Sequence, residues 1–255
     1  ADADIGDIAT GDGVTYFKAK DDSELWKTDG TTGGTTLLRS FSGEEGYIND
    51  IEVIGSTAYF SVFFSDSSEI WKSDGTDAGT EFIKQISPYS ESIQSLYVVN
   101  GRIVFSADDG VHGREMWASD GTPNGTEMIK DIHPEDQARI DRQTVFDSVM
   151  YFTADDGING SELWKTDGTP NGTRMVKDVN AGSYGSYACF FTQIGDGTVV
   201  FAADDGVNGW ELWRTNGTAR GTYLIKNIEP IGSGVTIGDV YSFNGIGYYQ
   251  LTNST

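Results

Sequence analysis

Cysteine and histidine are almost missing from this sequence: one Cys, Cys189, and two His, His112 and His133, in 255 residues. A single thiol excludes an intrachain disulfide and any cysteine-rich zinc site, and two imidazoles leave little for a multi-histidine centre. Cations are scarce too. Lys and Arg number 17 against 39 Asp and Glu, a formal charge of −22. Nucleic-acid affinity comes largely from Lys and Arg meeting phosphates, and anionic bilayers draw on the same charges. Neither partner is expected. No apolar run approaches the roughly 18 residues of a membrane-spanning helix, so membrane insertion is not expected either. No signal peptide is visible, and an opening at Ala1 fits a mature product whose leader has been removed. Prolines number five against 33 glycines, with 12% aromatic residues. That balance describes a turn-rich β protein, too aromatic for disorder.

An octapeptide recurs five times: ELWKTDGT from Glu24, EIWKSDGT from Glu69, EMWASDGT from Glu115, ELWKTDGT from Glu162 and ELWRTNGT from Glu211. Its tryptophans (Trp26, Trp71, Trp117, Trp164 and Trp213) are spaced by 45, 46, 47 and 49 residues. Each period contains four short β-branched and aromatic runs separated by Asn-Gly or Asp-Gly turn chemistry. In the third copy these are Leu96–Val99, Ile103–Ser106, Glu115–Ser119 and Glu127–Ile132, labelled strands A to D. No helical periodicity is sustained anywhere. Four antiparallel strands per period of about 45 residues is the signature of a propeller blade.

The fold expected is therefore all-β, a single β-propeller domain over 1–255. Blades fall at about 5–45, 46–92, 93–138, 139–188 and 189–235, and an extra C-terminal β-hairpin, a half-blade, at 236–255. The repeated tryptophans read as core and the Asp-Gly-Thr segments as turns, because turn residues recur wherever a turn recurs. The terminal hairpin matches the A and B pattern a sixth time and leaves an edge for self-association.

The octapeptide, followed by x-x-Gly-Thr and a strand ending Ile-Lys-Asp-Ile, resembles the ELWxxDGT repeat family of bacterial secreted and cell-surface proteins, also called hyalin-like. The resemblance covers nearly the whole chain and implies an extracellular propeller used in adhesion or ligand binding. It supplies no catalytic residues. Copies one and two depart from it by lacking a long B–C loop, and copy five has Asn216 where the turn Asp stands elsewhere.

Two loop sets are candidates for ligand contact. The long B–C loops carry Asp108, Asp109 and Glu115, then Asp155, Asp156 and Glu162, then Asp204, Asp205 and Glu211. Paired carboxylates, a glycine and a third acid suit Ca2+, which takes six to eight oxygens. The same Asp-Asp-Gly string equally suits a plain hairpin turn, and both readings stand at this point. The D–A loops vary most and place Tyr47, Tyr89, Tyr184 and Tyr187 beside small and acidic residues, a pairing that suits sugar recognition. His112 and Trp210, an aromatic with no counterpart in other copies, complete the candidate ligand residues. Function is expected to be non-catalytic: extracellular binding or adhesion, with carbohydrate or a surface or matrix protein as partner. The alternative is a structural module of a surface filament. A two-carboxylate glycosidase ranks below both, because catalytic acids are singular and these acids recur.

Overall fold

A computed structural model describes residues 4–228 and 235–253. The end of the fifth predicted blade at 229–234 and the last two residues of the half-blade, 254–255, lie outside them. The chain is divided into two compact units, 1–131 and 132–255.

Unit 1 holds three four-stranded antiparallel sheets. The first is β1 (Ile5–Gly11), β2 (Val14–Ala19), β3 (Glu24–Thr28) and β4 (Thr36–Ser40). The second is β5 (Tyr47–Ile54), β6 (Thr57–Phe64), β7 (Ser67–Ser73) and β8 (Thr80–Ser87). The third is β9 (Tyr97–Val99), β10 (Arg102–Asp108), β11 (Arg114–Ser119) and β12 (Glu127–Lys130). Unit 2 holds two more: β13 (Asp141–Phe146), β14 (Val149–Asp155), β15 (Ser161–Thr166) and β16 (Arg174–Lys177), then β17 (Cys189–Ile194), β18 (Thr198–Asp204), β19 (Trp210–Thr215) and β20 (Tyr223–Lys226). A two-stranded hairpin follows, β21 (Val235–Phe243) and β22 (Ile246–Asn253). Every sheet runs in chain order, as consecutive hairpins dictate. No helix among the described residues is long and apolar enough to cross a membrane.

The repeat owes its form to two devices. In the first, the second strand of each blade places a phenylalanine opposite the repeated tryptophan of the third: Phe17, Phe60, Phe105, Phe152 and Phe201 pair with Trp26, Trp71, Trp117, Trp164 and Trp213. In the first four blades the rings stack with centroids 6.3 to 6.5 Å apart. Such pairs contribute about 0.5–1.5 kcal/mol beyond the area they bury. Four of the tryptophans are buried and Trp26 is half-buried, as expected of core.

The second device is the turn between the third and fourth strands. In the third blade, Thr122 donates from both its amide (2.9 Å) and its hydroxyl (2.7 Å) to Asp120 Oδ1. The Gly125 amide donates to Thr122 Oγ1 (3.0 Å), and Thr126 Oγ1 donates to the Thr122 carbonyl (2.8 Å). The same bonds close the turns at Asp29, Asp74, Asp167 and Asn216. Asn216 keeps the geometry because its amide oxygen accepts as the carboxylate does.

Candidate functional site

The long B–C loops use their carboxylates on their own backbone. Asp109 Oδ1 accepts the amides of Val111 and His112, both at 2.9 Å, and Asp109 Oδ2 bonds His112 Nδ1 at 2.8 Å. Asp156 takes the amides of Ile158 and Asn159 and the Asn159 side chain; Asp205 takes those of Val207 and Asn208 and the Asn208 side chain. Asp108, Asp155 and Asp204 each accept the amide of the glycine two residues on. Burial alone would raise the Asp109 pKa, yet the bonds from His112 and Val111 hold it below the ordinary carboxylate range.

The third acid of each set points elsewhere. Glu162 is fully buried and accepts from the Val179 amide (2.9 Å), the Asn180 amide (3.1 Å) and Ser186 Oγ (2.7 Å). Glu211 accepts the Ile228 amide at 2.9 Å, and Glu115 is buried likewise. The nine acids read as metal ligands are thus split between loop tips and blade interior. Among the described residues no group of three or more His, Cys, Asp or Glu is placed to hold an ion.

In the two blades with short loops the same glutamate has another partner. Trp26 Nε1 donates to Glu24 (3.0 Å) and Trp71 Nε1 to Glu69 (2.8 Å). In the other three blades Trp117, Trp164 and Trp213 Nε1 are buried with no partner among the described residues. Where the loop is long, in blades four and five, the glutamate has moved from the indole to the amides of the segment that follows strand D.

The tyrosines separate into two groups. In unit 1, Tyr47 donates to Glu91 at 2.9 Å and packs edge-on against Phe63, so it joins loop to blade. Burial, then the Glu91 carboxylate, raises its phenol pKa. Tyr89 is exposed, with its ring beside Gly110, and His112 is engaged by Asp109. In unit 2, Tyr184, Tyr187 and Trp210 line one cavity of about 510 Å3, together with Asp155.

That cavity also contains Arg139, Asp141, Arg142 and Cys189, none of them expected from the sequence. Its walls are fixed by close backbone contact between two loops. A Cβ at Gly160 would lie 2.6 Å from the Gly185 amide nitrogen, and one at Gly185 would overlap the Ser161 backbone. The Ser186 and Tyr187 amides both donate to the Ser161 carbonyl (2.9 and 3.1 Å), and Asn180 donates to the Gly185 carbonyl (3.0 Å). The floor comes from the starts of β13 and β17, where the register shifts between Asp141 and Thr144 and between Cys189 and Thr192. Bulges re-aim side chains at sheet ends and beside active sites.

Arg139, Arg142, Tyr187 and Phe190 all adopt positive φ, 47 to 58°, a conformation costing on the order of 1–3 kcal/mol for such residues. Arg142 Nε is 3.3 Å from Asp141 Oδ2; Arg139 is exposed with no ion-pair partner among the described residues. Burial pushes the Cys189 thiol up to about 11, against the pull of the Arg142 charge.

The residues missed had one available signal: they break the repeat. The β5 bulge carries Asn49 and Asp50, and the matching starts in blades three, four and five read Gln94-Ser95, Asp141-Arg142 and Cys189-Phe190. Of these four, the fourth blade's alone brings a guanidinium.

No protein-family model matches the chain, and no curated protein matches its sequence. Solved structures do. Prolyl oligopeptidase B from Galerina marginata is similar with a TM-score of 0.56 at 12% identity, over 93% of this chain and 39% of its own. An oligogalacturonate lyase in complex with manganese is similar with a TM-score of 0.51 at 11% identity, over 84% of this chain and 62% of its own. The chain thus spans about two fifths of the peptidase and under two thirds of the lyase. Both are enzymes, and neither is an adhesin or lectin. The expected non-catalytic adhesion or lectin-like propeller, its filament alternative and the expectation that the chain is no enzyme are corrected on that ground: recurring acids argue only against the acids themselves as catalysts, and the propeller scaffold serves peptidase and lyase alike. At this identity the likeness carries the fold and not the reaction. The fold is that of a β-propeller, in five four-stranded blades and a C-terminal hairpin.

Proposed function

We propose that the chain is the propeller of an enzyme acting on a carboxylate-bearing substrate, which the unit 2 cavity holds through Arg139 and Arg142. The observation that carries this reading is the placing of two guanidiniums, both on strained backbone, in one cavity of a chain with a charge of −22. Guanidinium groups match carboxylates in a two-pronged geometry. In a site partly removed from water they also favour any transition state that builds charge on that carboxylate. Trp210 and Tyr184 supply ring faces for the body of the substrate. Asp141 is paired with Arg142 and Asp155 closes its own turn through Gly157, which leaves Arg139 as the cavity charge open to the substrate carboxylate. Oligogalacturonate, named with one similar structure, is a substrate of this chemistry, and a prolyl peptide, named by the other similar enzyme, is the contrasting one.

Calorimetry and product analysis with oligogalacturonate, a neutral galactose oligomer and a chromogenic prolyl peptide test the reading. Binding and cleavage of the acidic oligomer alone are expected. Arg139→Ala and Arg142→Ala should each lose about tenfold or more, since a charged hydrogen bond contributes about 1.5–3 kcal/mol. Equal handling of the neutral oligomer, cleavage of the peptide alone, or no binding of any of the three would overturn it.

A further inference from the structure

The dipeptide Asn-Gly occurs seven times in the chain. A glycine leaves its amide nitrogen open to the carboxamide before it, so each of the seven is chemically able to lose ammonia. The fold restrains them unequally.

In three turns between strands C and D the nucleophile is occupied. The amides of Gly125, Gly172 and Gly217 donate to Thr122 Oγ1 (3.0 Å), Thr169 Oγ1 (3.0 Å) and Thr215 Oγ1 (2.9 Å). In two long B–C loops the carboxamide is occupied instead. Asn159 Nδ2 donates to Asp156 Oδ2 (2.8 Å), and Asn208 Nδ2 to Asp205 Oδ2 (2.7 Å). After Asn244 the glycine is pinned: the Gly245 carbonyl accepts the Gly195 amide at 3.3 Å. A Cβ on Gly245 would lie 3.1 Å from Gly195 Cα.

Asn100 has none of these restraints. Val99 pairs with Arg102, so Asn100 and Gly101 alone make the β9–β10 turn, at φ 50 and 75°, as a type I′ turn requires. Both residues are exposed, and open space surrounds Gly101. Neither the Asn100 carboxamide nor the Gly101 amide has a hydrogen-bond partner among the described residues. The turn closes a strand of only three residues, Tyr97–Val99. Short exposed ends of this kind open at little cost, and opening lets the Gly101 nitrogen turn toward the side chain.

We propose that Asn100 is the deamidation site of the folded protein, converted with water to aspartate and isoaspartate. The Gly101 nitrogen attacks Asn100 Cγ. Its proton leaves with the side-chain NH2 as ammonia, and a succinimide ring remains. Water then opens one ring carbonyl or the other, and one negative charge is gained. The isoaspartyl product carries an extra backbone carbon, which a two-residue turn cannot hold in register. β9 is therefore the strand that ageing loosens.

Incubation of the full chain at mildly alkaline pH, folded and in denaturant, tests this. Tryptic peptides are read by mass spectrometry, and isoaspartate by enzymatic methylation. Trypsin places each Asn-Gly on its own peptide, that of Asn100 spanning residues 85–102. In denaturant the seven should convert at similar rates. In the folded chain Asn100 should convert about tenfold or more faster than any other, the measure of one hydrogen bond or contact broken elsewhere. Asn100→Gly keeps the turn, because glycine accepts positive φ, and should remove most of the ammonia released by the folded chain. Equal or faster conversion at another Asn-Gly in the folded chain overturns the proposal. So does an Asn100 that stays intact while folded, or one whose lead is as large in denaturant.

Discussion

The Glu162 carboxylate accepts the Val179 amide at 2.9 Å, across 17 residues of chain. It thereby ties the third strand of the fourth blade to the loop leading into the fifth, and that loop forms a wall of the arginine cavity. Burial raises the Glu162 pKa, against the bonds from Ser186, Val179 and Asn180.

Because this carboxylate has a raised pKa in the folded state, its contribution to stability is full below the unfolded pKa, about 4.3, and is lost as pH rises through the folded value. Glu162→Gln removes that dependence and sets an amide NH2 against a backbone donor. We expect a loss of about 1–3 kcal/mol and a midpoint of thermal unfolding that changes less between pH 4 and pH 7 than in the parent, as scanning calorimetry at several pH values will show.

The turn glycines give a second expectation. A Cβ at Gly125 would overlap the Asp120 carboxylate, as one at Gly172 would overlap Asp167. Gly125→Ala should therefore cost about 1–3 kcal/mol in urea unfolding, whereas Gly101→Ala, at a site with open space but positive φ, reports the backbone cost alone. Equal losses at the two positions would contradict the steric account.

Cys189 reports on the cavity. With its pKa near 11, about one thiol in a thousand is ionised at pH 8. Alkylation by iodoacetamide should be slow and rise about tenfold per pH unit up to pH 10. Arg142→Ala removes the charge that lowers this pKa and should slow the reaction further at fixed pH.

His112 offers a separate check. Its bond to Asp109, then the Asp109 charge, raises its pKa, so the pair stabilises the loop below about 6.5 and that contribution fades as pH rises through the folded value. Asp109→Asn should lower the imidazole midpoint in an NMR titration. An unmoved midpoint would break the pairing.

Much of the fold was readable because the octapeptide marks the third strand of every blade, and Phe–Trp pairing fixes the neighbouring strand to it. Strand D of the third copy, expected at Glu127–Ile132, ends at Lys130. The site was less readable. The acids at Asp108, Asp155 and Asp204 looked like ligands because they recur, yet they recur because each closes the same hairpin turn. Tyr184, Tyr187, Trp210 and Asp155 do line a cavity. Arg139 and Arg142 are marked in the sequence only by a break in the repeat, because their importance depends on a bulge and on positive φ, and neither has a periodic signature.

The Asp120–Thr122–Gly125 turn makes its closing bonds within itself, and Ser119, Arg102 and Lys84 brace it from outside. A segment that brings its own fastening can be copied along a gene without renegotiating the rest of the protein. Lineages built this way are free to vary wherever the fastening is not, and here that freedom falls on the opening residues of each blade's first strand.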